Sequence, residues 1–212
     1  MKRPAALLLG LLIASLLQPA GTSAAACDTC PVASVQPKAS HAIRTADTSH
    51  GCTTRTKSGL PVPDPKCTPG AINPSVTLQV LKDPAFRTEC VRDCVTSEND
   101  KGAMYGFYSL SRPTDNQGDN QACELDHLVP LELGGADTLD NIWPQCGPSN
   151  AELPKRYFKE KDMVEDFLAD QVKTGQMKLG AAQSAIAKDW TKFLGKATDF
   201  CSKNPKTCNG GQ

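Results

Sequence analysis

Cys123–Asn150 reads CELDHLVPLELGGADTLDNIWPQCGPSN. Asp126 and His127 are adjacent, Asn141 lies 14 residues after the histidine, and Asn150 lies 9 residues after Asn141. Pro130 and the pair Gly134-Gly135 fall between the histidine and the first asparagine. Cys123–Leu133 is strand-like and runs into a glycine loop, and a helical region follows from about Leu153. Pro154 suits a first helical position. Met163, Phe167, Leu168 and Val172 recur at helical spacing, and Gly175 fits the C-terminal cap. A second apolar stripe, Leu179, Ala182, Ile186, Trp190 and Phe193, predicts a helix over Leu179–Leu194 that stops at Gly195. The two helices form a hairpin able to cover the strands.

The Asp-His pair, the proline, the paired glycines and the two asparagines together resemble the HNH endonucleases, the ββα-metal (His-Me finger) group. The match covers about 27 residues. ELDHLVPLELGG and NIWPQ are similar to a subgroup of small exported bacterial HNH-signature proteins. KEKDMVEDFL and AAQSAIAKDW are similar to that subgroup's C-terminal helices. The resemblance implies an α+β fold with a ββα-metal core and flanking helices. It implies metal-dependent hydrolysis of phosphodiester bonds, in DNA or in RNA.

Such a reaction needs a base to activate water and positive charge to offset the leaving alkoxide. Imidazole titrates near neutrality, so His127 suits the base. A divalent ion suits the charge, and Asp126 offers it a hard carboxylate oxygen. By resemblance, Asn141 holds the glycine loop through backbone hydrogen bonds and fixes His127. Asn150 stands where the family places its last metal ligand. Neighbours on a strand face opposite ways, so Asp126 and His127 need a bend or bulge to serve one site.

The pattern departs from the fullest family form, because no histidine follows His127. The last ligand position falls to Asn150 or to a group on the following helix, with Asp162 the second candidate. An oxygen-donor set favours Mg²⁺, with Mn²⁺, Ca²⁺ and Zn²⁺ behind it. Lys155, Arg156, Lys159 and Lys161 read either as an exposed helix face paired with Glu160, Asp162 and Glu165 or as phosphate contacts beside the metal. Glu124 and Glu132 read as solvated carboxylates, and Trp143 as core.

Outward from this stretch, residues 103–112 (AMYGFYSLSR) read as an aromatic strand. Residues 113–121 read as a polar loop. Ser75 is placed to cap a short helix through Leu81, and Phe86–Cys94 holds another turn or two. Residues 27–70 are rich in Pro, Thr, Ser and Lys and read as an irregular, disulfide-held arm. The expected organisation is therefore 1–26 leader, 27–70 arm, 71–200 nuclease-like domain and 201–212 tail.

Lys2 and Arg3, the apolar run Ala5–Leu17 and the Ala24-Ala25-Ala26 site form the pattern of a secretory signal. The expected location is the periplasm or outside the cell. Cleavage would leave Cys27 first; Ala24 three residues earlier argues against a lipid anchor there. Ten cysteines in an exported chain suggest up to five disulfides, Cys146 pairing with Cys123 among the options. Lys+Arg and Asp+Glu balance at 23 each, which excludes a DNA-coating cationic protein. No apolar run reaches the ~18 residues of a membrane span. Nucleic acid is the expected partner, bound locally and without sequence preference; nothing in the chain points to a particular immunity partner. The rival readings are an inactive binding module on the same scaffold, a cysteine-rich envelope protein working through residues 27–70, and hydrolysis of a non-nucleic phosphodiester.

Overall fold

A computed structural model describes residues 51–92 and 98–208. The leader, Cys27, Cys30, His41, His50 and Cys94 lie outside the described residues. The fold mixes helices with two small antiparallel hairpins, an α+β architecture.

The first hairpin pairs β1 (Arg55–Lys57) with β2 (Leu60–Val62). The described part of the proline-rich segment therefore carries one short hairpin within otherwise irregular backbone. Alternating prolines forbid helix but leave an outer strand free to form. The Cys52–Cys67 disulfide closes this segment. Val62 is buried, and the Trp190 indole N–H donates to the Pro61 carbonyl at 3.0 Å. Residues 51–70 are thus stitched to the helices.

A short helix α1 (Leu78–Lys82) is capped by the Thr77 hydroxyl, two residues beyond the expected Ser75. A 3-10 turn, Thr88–Val91, follows. The aromatic stretch is then not a strand. It is the end of helix α2 (Glu98–Phe107). Its buried residues are Lys101, Met104, Tyr105 and Tyr108, spaced three, four and seven from the first. That helical period outweighs the strand preference of the aromatic side chains.

The second hairpin is β3 (Cys123–His127) against β4 (Ile142–Cys146), in unbroken register from Cys123↔Cys146 to His127↔Ile142. The Cys123–Cys146 disulfide ties its open end. β3 stops at His127, short of the expected Leu133. Leu131–Leu133 is instead a 3-10 turn entered through Pro130. The connection back to β4 is tight. Gly134 is left-handed at φ 75°, and a Cβ on Gly135 would lie 1.7 Å from the Val129 carbonyl oxygen. Both glycines are required by geometry.

Helix α3 (Tyr157–Lys173) crosses the second hairpin after a 3-10 turn at Leu153–Lys155. The expected second helix forms but ends early, and a further helix follows it. α4 (Leu179–Asp189) breaks at a 3-10 turn, Trp190–Phe193, and α5 (Leu194–Lys203) starts anew. Gly195 sits in the first turn of α5 and does not end a helix. The expected tail contains the end of α5 and α6 (Pro205–Cys208), joined by the Cys201–Cys208 disulfide.

The larger core gathers Val91, Leu133, Val164, Leu168, Ile186 and Trp190, all fully buried. A second packs Met104 and Tyr108 against Leu128, Ile142 and Trp143. Disulfides at this density fit an oxidising, non-cytoplasmic compartment. Among the described residues no helix is long and apolar enough to cross a membrane.

Candidate functional site

Asn141, fully buried just before β4, holds the glycine loop closed. Its Nδ2 donates to the carbonyls of Val129 and Ala136, each at 2.8 Å, and its Oδ1 accepts from the Val129 N–H at 2.9 Å. The Leu128 N–H donates to the Asn141 carbonyl at 2.8 Å. One side chain therefore clamps the backbone immediately after His127. Asparagine suits this place because it carries both donors and an acceptor.

His127 ends β3 with its imidazole mostly buried. Its Nε2 lies 2.7 Å from Oδ1 of Asp137, a carboxylate with no exposed surface. The Lys101 ammonium of α2 reaches the same oxygen at 3.2 Å. With Asp137 neutralised by Lys101, Nε2 is the donating nitrogen and Nδ1 is the one able to accept a proton. The sequence reading missed Asp137. The signal available was its place ten residues beyond the histidine, just after Gly-Gly.

Asp126 has different side-chain partners from His127, although both residues line one cleft. The strand carries no bulge, so the alternation of side chains is kept. Oδ2 of Asp126 accepts from the Trp143 indole at 3.2 Å and from the Lys161 ammonium of α3 at 2.9 Å. Lys161 is fully buried. Its ammonium also donates to Glu165 and, at 2.7 Å, to the His127 carbonyl. Burial disfavours that charge, but the charges of Asp126 and Glu165 outweigh it and hold the amine protonated. Two acids then share one base, and burial pushes the Glu165 carboxyl well up.

A cleft of about 700 Å³ opens along this side of β3 and α3. Asp126 and His127 line it together with five further carboxylates: Glu124, Glu132, Asp162, Glu165 and Asp166. Glu124, on β3, and Glu132, in the 3-10 turn, are thus half-buried residues of the cleft wall. Burial, with the charges of Asp126 and Asp162, pushes Glu124 up to about 7. Burial and Glu132 push Asp166 up to about 7. Burial also raises Glu132 and Asp162. Glu124 therefore carries a proton that it can give up near neutrality, a property that concentrates at functional sites.

The remaining expected residues separate. Asn150 lies on an exposed turn and does not line the cleft. Lys155 is exposed and pairs with Glu152 at 2.9 Å. Arg156 is buried, its guanidinium donating to the carbonyls of Asp119, Gln121 and Ala151, and so it holds two loops together. Lys159 lines the cleft and pairs with Asp162 at 3.1 Å. The expectation of free phosphate-binding cations is met least at Arg156 and Lys161, whose donors are taken up within the fold.

Family models, curated proteins and solved structures give no match to this chain.

The oxygen-rich lining has the chemistry of a hard divalent ion, but its arrangement does not fit one. Lys161 already engages Asp126, Glu165 and the His127 carbonyl. Asn150 stands apart, and among the described residues no three His, Cys, Asp or Glu side chains surround one point.

Proposed function

We propose that this chain is an exported phosphodiester hydrolase of HNH type, acting on DNA or RNA, with β3, β4 and α3 as its ββα core. The observation that carries this reading is the Asp137-held imidazole of His127, a residue that lines the cleft, within a stretch that resembles the family motif. His127 takes the proton from water as the water oxygen attacks phosphorus; the P–O bond to the leaving alkoxide breaks, and that alkoxide takes a proton from solvent. Asp137 keeps Nε2 as the donor, so Nδ1 is the base. Lys161 fixes the His127 carbonyl and Asn141 the backbone just after it. Lys159 and Arg92 are the cations on the cleft wall, suited to phosphate oxygens. The resemblance implies a divalent ion, Mg²⁺ first; Asp126 as placed offers it no cage.

Plasmid cleavage by the oxidised, signal-free protein tests this. Wild type and His127→Ala are compared at low salt with Mg²⁺, Mn²⁺, Ca²⁺, Zn²⁺ or EDTA, and RNA is tried alongside. Cleavage lost in the variant supports the reading. Equal cleavage by both places the activity elsewhere, and none by folded wild type on any substrate ends the reading. A second reading, an inactive binding module on the same scaffold, draws on one observation: six carboxylates line the cleft, and such a surface repels a phosphodiester. In that case His127→Ala leaves binding of the module's partner intact.

A further inference from the structure

We propose that the Lys161 ammonium is the resident cation of this site and takes the place on Asp126 that the resemblance gives to a divalent metal. The proposal rests on the hydrolase reading and deepens it. An ammonium has three N–H donors. Here all three have oxygen acceptors: the Asp126 carboxylate, the Glu165 carboxylate and the His127 main-chain carbonyl. This is an oxygen cage around one positive charge, fully shielded from solvent. A divalent ion on Asp126 Oδ2 would stand beside the buried ammonium and compete with it for the same oxygen. The side chain has no exposed surface into which to retreat. Lys161 also ties α3 to both residues of the Asp-His pair, through the side chain of the first and the backbone of the second. It is a positioning residue: it sets where β3 ends against α3, while Asp137 sets the imidazole from the α2 side.

The test is Mn²⁺ uptake by the full oxidised chain, read from the electron paramagnetic resonance signal of the free ion. Wild type, Asp126→Asn and Lys161→Met are titrated. Wild type and Asp126→Asn are expected to give the same curve up to about 1 mM Mn²⁺. Folded Lys161→Met is expected to bind Mn²⁺ more tightly, by roughly ten- to a hundredfold, because the competing positive charge is removed. A wild-type Mn²⁺ site that disappears in Asp126→Asn overturns the proposal, as does a folded Lys161→Met that binds no better than wild type. Where Lys161→Met does not fold, the comparison of wild type with Asp126→Asn decides alone. Mn²⁺ uptake is read without substrate, so a failed hydrolase reading shows as absent or His127-independent cleavage and leaves this result standing.

Discussion

Replacing Glu124 with glutamine should stabilise the protein at pH 8 and leave it nearly unchanged at pH 5. Glu124 sits on β3 two residues before Asp126, on the same side of the strand, and burial raises its carboxyl from 4.5 to about 7. Asp126 and Asp162 add to the rise, while Lys159 and Lys161 partly oppose it. The folded chain therefore holds this proton more tightly than the unfolded chain does. Its contribution to stability is complete below the ordinary value and is lost as pH rises through about 7. Each pH unit between the two values costs about 1.4 kcal/mol, so ionising Glu124 costs about 3 kcal/mol by pH 8. Glutamine keeps the shape and removes the charge. For a domain of this size that corresponds to a rise of roughly 6–12 °C in Tm at pH 8. Calorimetric melts of both proteins at pH 5 and pH 8 read it directly. A Tm gain equal at both pH values would mean packing and not charge, and a loss at pH 8 would mean that ionised Glu124 has a cation to serve. Either result refutes the reasoning.

Asp137→Asn should slow cleavage by roughly ten- to a hundredfold with KM little changed, because the carboxylate orients His127 without touching substrate; a change confined to KM would remove Asp137 from that role. His127→Ala should cost roughly 10²–10⁴ in kcat, measured on the same substrate. Asn141→Ala leaves the Val129 N–H and the Val129 and Ala136 carbonyls without their buried partner. About 3 kcal/mol or more should be lost in denaturant unfolding, and a loss under 1 kcal/mol would show that water replaces the clamp. Converting Cys123 and Cys146 to serine opens a 23-residue link and should cost about 3 kcal/mol by chain entropy. An unchanged midpoint would show that the β3–β4 register stands without it.

Legibility varied with how local the governing interaction is. The roles of Gly134-Gly135 and Asn141 were implied by the family resemblance, and the loop and its clamp use residue types with few substitutes. A Cβ at Gly135 would overlap a carbonyl, and only an amide side chain offers Asn141's three bonds. α2 was misread because aromatic residues favour strands when taken singly, while the deciding information was the three-four spacing of Lys101, Met104, Tyr105 and Tyr108. The break at Trp190–Phe193 was hidden for a related reason: the apolar stripe continues across it. Trp190 is held by the Pro61 carbonyl, a partner 129 residues away. Glu124 on β3 and Glu132 in the 3-10 turn could not be recognised as wall residues from their own segments, because the opposite wall is supplied by α3.

Asp126 and Lys161 are where the two levels disagree most usefully. The motif fixes which residue types stand together on β3, and there the resemblance points to a metal. What stands opposite is decided 35 residues later, on α3, where a lysine arrives with all its donors directed at oxygen. A buried carboxylate has to be compensated, and the compensation can come from outside the chain or from within it. Here it comes from within, and burial, with the neighbouring acids adding to it, raises the carboxyls of Glu165, Glu124 and Asp166. An ion drawn to these acids would meet the outer carboxylates, Glu124, Asp162 and Asp166, before Asp126. Whether those outer groups or Lys161 govern the chemistry is therefore a question about two different parts of one cleft. Substitution of Asp126 and of Glu124 should separate them.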